Sequence, residues 1–168
     1  MRHTLKAQFQ GKRLLIIDDR PEELRGFCQH MRKAGFEVVS WLIDDGFMER
    51  DPTGFDLVVH SPQEFEKRVK ATAFDALLSD GQMMSKFSWK EALETVKAAK
   101  GPIPMIVHSG KYDDLREVMS KERFDQQFKN DVAAVKEAGG SALFDKGQND
   151  AVCKAFAQAF AEQAKRVG

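Results

Sequence analysis

The sequence lacks any charge imbalance and any long apolar run, and both absences exclude large classes of function. Its 26 lysines and arginines equal its 26 aspartates and glutamates, so the chain has no net field for nucleic acid or anionic membranes. A membrane-spanning helix needs about 20 apolar residues in a row, and no apolar stretch approaches that length. The basic segment 1–13 has no apolar core and does not resemble a signal peptide. We therefore expect neither nucleic acid nor membrane as a partner.

Cysteine is scarce, and a glycine-rich phosphate-binding turn is missing. The two cysteines, Cys28 and Cys153, fall on apolar helical positions without metal-ligand spacing, which predicts reduced thiols in a cytoplasmic protein. No glycine-rich turn follows the first predicted strand, which argues against a dinucleotide-binding enzyme. Length and a hydrophobic content of 42% predict a single domain over residues 1–168 with a substantial core.

What the sequence does contain is a regular alternation of strands and helices. Four short apolar runs have the character of strands buried on both faces: 13–18, 74–80, 103–108 and 141–144. Capped, amphipathic segments separate them, as expected for helices. The alternation predicts an α/β fold: a doubly wound sandwich with a parallel sheet and helices on both faces.

The second strand is ambiguous. The segments 38–43 and 55–60 have equal strand character, and a stretch rich in turn residues separates them. Either both are strands, one of them an addition to the sheet, or one is an irregular edge segment.

Polar side chains follow the predicted strands at the point where each one ends. Asp18 and Asp19 follow the first strand, Asp80 the central one, Ser109 the next and Lys146 the last. Because the carboxyl ends of parallel strands share one edge of the sheet, these side chains should lie together. Three carboxylates repel one another unless they hold a cation, and oxygen ligands select a hard ion such as Mg²⁺.

Such a cluster has the parts for phosphoryl chemistry. A carboxylate beside the metal can attack a phosphoryl group and form an aspartyl phosphate. A lysine and a hydroxyl donor can stabilise the charge on the phosphoryl oxygens. Taken singly, the pair Asp18-Asp19 would also suit the start of a helix, and Lys146 a solvated loop. Their coincidence on separate strand ends favours a phosphoacceptor, with Asp80 as the nucleophile.

This set resembles the signature of the response-regulator receiver domain of two-component signalling, and the resemblance covers about residues 12–166. It implies a flavodoxin-like fold with a five-stranded parallel sheet of order 2-1-3-4-5. It also implies that a histidine kinase or histidine phosphotransfer protein phosphorylates Asp80 and that an unidentified downstream protein reads the result. Ser109 and Lys146 would contact the phosphoryl group. Beyond its own phosphotransfer and dephosphorylation, the chain would be no enzyme.

The resemblance also implies a metal site. Asp19, Asp80 and the main-chain carbonyl of Gln82 would bind Mg²⁺, and Asp18 would place a metal-bound water. In such domains the cation is required for phosphorylation, so Mg²⁺ is the expected cofactor.

The sequence departs from the family pattern around the last strand. Gly147 follows Lys146, where the family usually has proline. Leu143 stands at the position, three before the lysine, that is usually aromatic in these domains. Phe144 is displaced by one residue and should therefore point to the opposite face of its strand.

Two segments, 44–54 and 111–138, are longer than the family pattern. The second has two apolar stripes that are out of phase, which predicts two helices or one helix kinked near Ser120.

Two other functions compete with the phosphoacceptor. A degenerate receiver would bind a partner without phosphorylation, as the altered positions near Lys146 would allow. A hydrolase of the haloacid-dehalogenase type also uses an aspartyl nucleophile, but it needs Asp-x-Asp after the first strand. Here the two acids, Asp18 and Asp19, are adjacent, which disfavours that class.

Overall fold

A six-stranded parallel sheet forms the centre of the protein. The computed structural model describes residues 2–46, 50–83 and 87–167. The strands are β1 (Arg13–Asp18), β2 (Glu37–Ile43), β3 (Leu57–Val59), β4 (Ala76–Asp80), β5 (Met105–Ser109) and β6 (Ala142–Asp145). Their order across the sheet is β3-β2-β1-β4-β5-β6, and every neighbouring pair is parallel.

Seven described helices cover the two faces of this sheet. They are α1 (Arg2–Phe9), α2 (Pro21–Ala34), α3 (Pro62–Ala71), α4 (Trp89–Lys100), α5 (Lys111–Val118), α6 (Lys121–Glu137) and α7 (Asn149–Val167). Successive residues of β1 alternate between two hydrophobic clusters: Leu15 and Ile17 join one, Leu14 and Ile16 the other. The first cluster takes side chains from α3, α4, α5 and α6, and the second from α1, α2 and α7. The predicted doubly wound sandwich is therefore confirmed.

The predicted strand number and order need correction. Both ambiguous segments are strands: β2 pairs with β1, and β3 adds to the outer edge of β2 through three residue pairs from Trp41↔Leu57 to Ile43↔Val59. The sheet thus has six strands and not five. When the short β3 is left out, the remaining five strands follow the expected order 2-1-3-4-5, because β3 is added only at the outer edge of β2.

Local signals placed most helix ends correctly. Gly35 ends α2 with φ of 116°, a left-handed conformation that costs glycine little. Ser61 and Ser88 cap α3 and α4 by accepting hydrogen bonds from the main-chain N–H groups of Glu64 and Glu91. Ser120 caps α6 in the same way, so the long connection after β5 is two helices.

The N-terminal helix α1 was not predicted from the sequence. It is held by tertiary packing: the ring of Phe9 is fully buried and stacks on Phe36 with 4.1 Å between ring centroids. Phe160 of α7 meets the same ring edge-on. In this way α1 closes the second hydrophobic cluster at the end of the sheet where β1 begins.

Within the described part of the chain, no helix combines the length and the apolar character needed to cross a membrane. The order of the strands reverses between β1 and β4, which lie side by side although a long stretch of chain separates them. The crevice at the carboxyl ends of such a strand pair is where open α/β sheets place their ligands.

Candidate functional site

Three buried carboxylates meet at the carboxyl ends of β1 and β4. Asp18 is the last residue of β1, Asp19 follows it, and Asp80 is the last residue of β4. Each contributes an oxygen that lies within 4.8 Å of the others, and no side chain of the three is more than 2% exposed. The structure therefore brings together the three acids that the sequence predicted to form one cluster.

Lys146 supplies a cation to this cluster from the end of β6. Its Nζ lies 3.1 Å from Oδ1 of Asp80 and 3.4 Å from Oδ2 of Asp18, and it also pairs with Glu23 of α2. Gly147, with φ of 97°, turns the chain directly after the lysine. One ammonium thus bridges the ends of β1 and β4.

Main-chain N–H groups fix the orientation of two of the carboxylates. Arg20 donates its N–H to Oδ1 of Asp18 at 2.9 Å, and Gln82 donates its N–H to Oδ1 of Asp80 at 3.2 Å. The other oxygen of Asp80, Oδ2, is buried and has no hydrogen-bond partner among the described residues. One oxygen of the Asp80 carboxylate is therefore engaged, and the other is buried without a hydrogen-bond partner among the described residues.

Burial and mutual repulsion shape the ionisation of this cluster. Burial, followed by the nearby charge of Asp80, raises the pKa of Asp18 well above its ordinary value. Burial also raises the pKa of Asp80, although Lys146 offsets part of the effect. Burial disfavours the ammonium of Lys146, but Asp18, Asp80 and Glu23 outweigh it and raise the lysine pKa. A cation at the acids would relieve both penalties on the carboxylates.

Ser109 lies at the end of β5, beside this cluster. Its side chain is 1% exposed, its Oγ accepts a hydrogen bond from the N–H of Lys111, and its carbonyl accepts one from the N–H of Lys146 at 3.1 Å. Gly81 lets the loop after β4 pass close by, since a Cβ there would sit 3.0 Å from Cβ of Ser109. A side chain at position 81 would require this part of the site to shift by a few tenths of an ångström.

The predicted magnesium ligands fit the ion in kind. All the donors are oxygens, as Mg²⁺ prefers, and an unpartnered buried oxygen of Asp80 points to a ligand. Asp18, Asp19 and Asp80 would hold the ion, together with the main-chain carbonyl of Gln82, whose side chain is exposed.

Three residues that shape the site were not predicted from the sequence. Glu23 had the signal of an ordinary acid in the first turn of a helix, yet it pairs with Lys146. Arg50 lies in the segment 44–54 and contacts both the main-chain carbonyl and the carboxylate of Asp19. No local sequence pattern predicts this contact. His108 is buried against the ring of Phe27, 4.1 Å between centroids, and burial lowers its pKa to about 3, so it remains neutral.

The side chains of Leu143 and Phe144 alternate along β6 as predicted. Leu143 packs into the first hydrophobic cluster and Phe144 against the second, so the two side chains do lie on opposite faces. Arg116 of α5 pairs with Asp145, the residue before Lys146. Tyr112 of α5 is 1% exposed and packs between the rings of α6.

Comparison with known proteins places this fold among solved receiver domains. The sequence matches no protein-family model and no curated protein sequence. Its structure is similar to a response regulator receiver domain protein from Methanospirillum hungatei, with TM-score 0.60, 17% identity and coverage of 92% of this chain and 98% of that one. A receiver domain from Clostridium thermocellum gives TM-score 0.62 at 15% identity, covering 91% and 97%.

A third neighbour is the beryllofluoride-activated DrrB receiver domain, with TM-score 0.57, 12% identity and coverage of 89% and 97%. At such low identities the similarity is one of fold, and it extends over about nine-tenths of the chain. The chain has the flavodoxin-like fold of the response-regulator receiver domains.

Proposed function

We propose that this protein is a phosphoacceptor of two-component signalling or a phosphorelay, which receives a phosphoryl group on Asp80 from a histidine kinase or phosphotransfer protein. The observation that carries the proposal is the state of the Asp80 carboxylate. Lys146 and a main-chain N–H hold Oδ1, while buried Oδ2 has no partner in the described part of the chain. A carboxylate that is oriented through one oxygen, with no hydrogen bond to the other, is suited to act as a nucleophile.

In the proposed transfer, a carboxylate oxygen of Asp80 forms a bond to phosphorus as the P–N bond of a phosphohistidine breaks. The electron pair of that bond stays on the imidazole nitrogen of the donor, which then takes up a proton. Asp80 must be ionised to attack, and burial opposes its ionisation. Lys146, 3.1 Å from Oδ1, favours the charged form most, and the main-chain N–H of Gln82 favours it too.

A metal ion and two side chains would receive the transferred group. Mg²⁺, when bound, supplies positive charge against the phosphoryl oxygens. Lys146 can leave Oδ1 of Asp80 and contact a phosphoryl oxygen, because its flexible stem already spans the ends of β1 and β4. Ser109 can offer its hydroxyl proton, since the hydrogen bond that its Oγ accepts from the N–H of Lys111 is long, 3.4 Å.

The output of the switch would be a changed protein-binding surface in the cytoplasm. Phosphorylation can shift a two-state equilibrium only through contacts that differ between the states. Movement of Ser109 and Lys146 toward the phosphoryl group would supply such contacts, and α5 begins two residues after Ser109. A downstream protein would then recognise the repositioned α5 and its neighbours.

One observation favours a second candidate, a receiver that binds its partner without phosphorylation. The position usually occupied by a switching aromatic holds Leu143, which is buried, and Phe144 points to the other face of the sheet. The complete acid cluster with Lys146 favours the phosphoacceptor instead.

Mass spectrometry of the intact protein distinguishes the two candidates. Acetyl phosphate or phosphoramidate should add one phosphoryl group in the presence of Mg²⁺ and none in the presence of a chelator. Asp80→Asn should abolish the addition, whereas Asp145→Asn should not, since Asp145 is a buried strand-end acid that pairs with Arg116. Equal labelling of wild type and Asp80→Asn would refute Asp80 as the acceptor, and no labelling of the wild type would favour the phosphorylation-independent receiver.

A further inference from the structure

Arg50 brings a second buried cation to the acidic site. Its side chain is only 6% exposed, and its Nε donates to the main-chain carbonyl of Asp19 at 2.6 Å. One terminal nitrogen lies 3.8 Å from Oδ2 of Asp19. The other lies 3.1 Å from Oδ1 of Asp44 and 4.0 Å from Asp45, both just beyond the end of β2.

The chain around Arg50 is fastened from the outside. Arg25 of α2 contacts the carboxylate of Asp51 and donates to the main-chain carbonyl of Thr53 at 3.0 Å. Its guanidinium also lies over the ring of Phe55, 4.9 Å from the centroid. The stretch 50–55 is thus held against α2, and Arg50 projects inward from it to the acids.

Arg50 and a metal ion would share one carboxylate. Asp19 is one of the three acids whose oxygens converge within 4.8 Å, and its Oδ2 already faces a guanidinium. An arginine remains charged at any pH at which the protein folds. Its charge therefore repels a divalent cation at Asp19 and partly neutralises the carboxylate that would attract it.

We propose that Arg50 is a built-in counter-cation that competes with the divalent metal at Asp19 and lowers the metal affinity of the site. The inference rests on the proposed function, because the metal site is that of the phosphoacceptor. Its consequence is that metal binding must loosen the contacts of Arg50 with Asp19.

Removing the charge of Arg50 distinguishes competition with the metal ion from a role in holding the acids in place. If Arg50 competes, Arg50→Gln should bind Mg²⁺ more tightly. If Arg50 only holds Asp19, Asp44 and Asp45 in place, the same variant should bind Mg²⁺ more weakly, since the acids would move apart. The two roles thus predict changes of opposite sign.

The experiment is a calorimetric titration of the full-length protein with MgCl₂. We expect the dissociation constant to fall about tenfold in Arg50→Gln, as removal of a unit charge a few ångströms from the ion implies. Arg50→Lys, which keeps the charge, should stay near the wild type. Arg25→Gln is the matched control, because it loosens the same stretch of chain without changing the charge at Asp19.

A double-mutant cycle tests whether Asp19 is the shared group. In an Asp19→Asn background, Arg50→Gln should no longer tighten Mg²⁺ binding. An unchanged or weaker affinity in Arg50→Gln alone, or the same gain in both backgrounds, would overturn the inference and leave the phosphoacceptor intact. Absence of Mg²⁺ binding in every variant would instead overturn the metal site of the proposed function.

A measurement on the wild type covers the case in which Arg50→Gln fails to fold. The Nε–H of Arg50, buried against the Asp19 carbonyl, should give an ¹⁵N NMR signal that Arg50→Lys lacks. Competition predicts that Mg²⁺ shifts this signal and speeds its exchange with solvent. A signal that stays fixed while the amide of Gln82 responds to Mg²⁺ would refute competition.

Discussion

The two sides of the sheet place their cations differently with respect to the acidic cluster. On the β2 side, Arg50 places a guanidinium directly on Asp19. On the β6 side, Arg116 of α5 pairs with Asp145, one residue before Lys146, so its charge acts beside the cluster. The segment 44–54 thus changes the charge of the site, and the segment 111–138 touches the strand that carries the lysine.

Because of this difference, we expect substitutions on the two sides to have different effects. A change at Arg50, on the β2 side, should alter how strongly the acids attract a cation, without moving α5. A change in α5 or α6, on the β6 side, should alter how a movement of Lys146 or Ser109 reaches these helices, without changing metal affinity. Substitutions on each side can therefore break or sharpen the comparison.

The largest effect is expected for Lys146→Ala. This variant should still bind Mg²⁺, because the lysine is not a metal ligand, and should bind it more tightly than the wild type, because a cation beside Asp18 and Asp80 is removed. It should also lose the response of residues 111–124 to beryllofluoride, a phosphoryl mimic. The reason is that the ammonium that would move to contact the phosphoryl oxygens is missing. Hydrogen exchange followed by mass spectrometry, with and without beryllofluoride, measures that response.

Arg116→Gln is the matched control for this prediction. It removes a cation from the same edge but leaves Lys146 on the cluster, so Mg²⁺ affinity should be unchanged and the loop after Asp80 should still respond. If Lys146→Ala responds to beryllofluoride as the wild type does, the lysine has no part in the mechanism. If the wild type responds around Asp80 but not in 111–124, the helices α5 and α6 are static and the output surface lies elsewhere.

A smaller effect is expected for Tyr112→Phe, which tests how firmly α5 is held to α6. The hydroxyl of Tyr112 donates to Asp131 at 2.7 Å, and burial raises the pKa of Tyr112 above its ordinary value, so the hydroxyl keeps its proton. Asp131 keeps hydrogen bonds from Lys111 and Gln127 in the variant. The free energy of unfolding should therefore fall by only about 1 kcal/mol, as for one hydrogen bond.

Urea denaturation measures the effect of Tyr112→Phe, and Asp131→Asn provides the control background, in which the same change should cost less. An equal loss in both backgrounds would mean that the hydroxyl acts through something other than Asp131. Phosphorylation of Asp80 should be unaffected, because Tyr112 faces the helices and not the acid cluster.

The core of the site could be predicted because its signals are local. The fully buried residues Ala76 to Asp80 form a short apolar run ending in an acid, and such a run in a parallel sheet indicates its own strand and edge. The end of β1 and the turn at Lys146 also have local sequence signals that mark a strand end. Parallel pairing then brings separate strand ends together without further information.

The parts that were missed depend on contacts between distant residues. Strand β3 has only three residues, and its pairing with β2 is what makes it a strand. Helix α1 forms through Phe9 packing on Phe36 and Phe160. Arg50 follows a turn-rich stretch with no periodicity, so its reach to Asp19 could not be inferred from spacing.

The smallest effect is expected at the two cysteines, which lie on the face of the sheet away from α5 and α6. Cys28 of α2 and Cys153 of α7 are free and buried, and Cys153 contacts the sulfur of Met31. Burial raises the pKa of both thiols to about 11, so about one in a thousand is ionised at pH 8. An aromatic disulfide reagent should react slowly with the native protein at pH 8, faster as the pH rises, and fully in denaturant. Neither Mg²⁺ nor beryllofluoride should change the native rate, since a response confined to the sheet edges does not open the α2 and α7 face. A rate that rises with beryllofluoride would show that the response also crosses to that face, and the division of roles between the two edges would then fail.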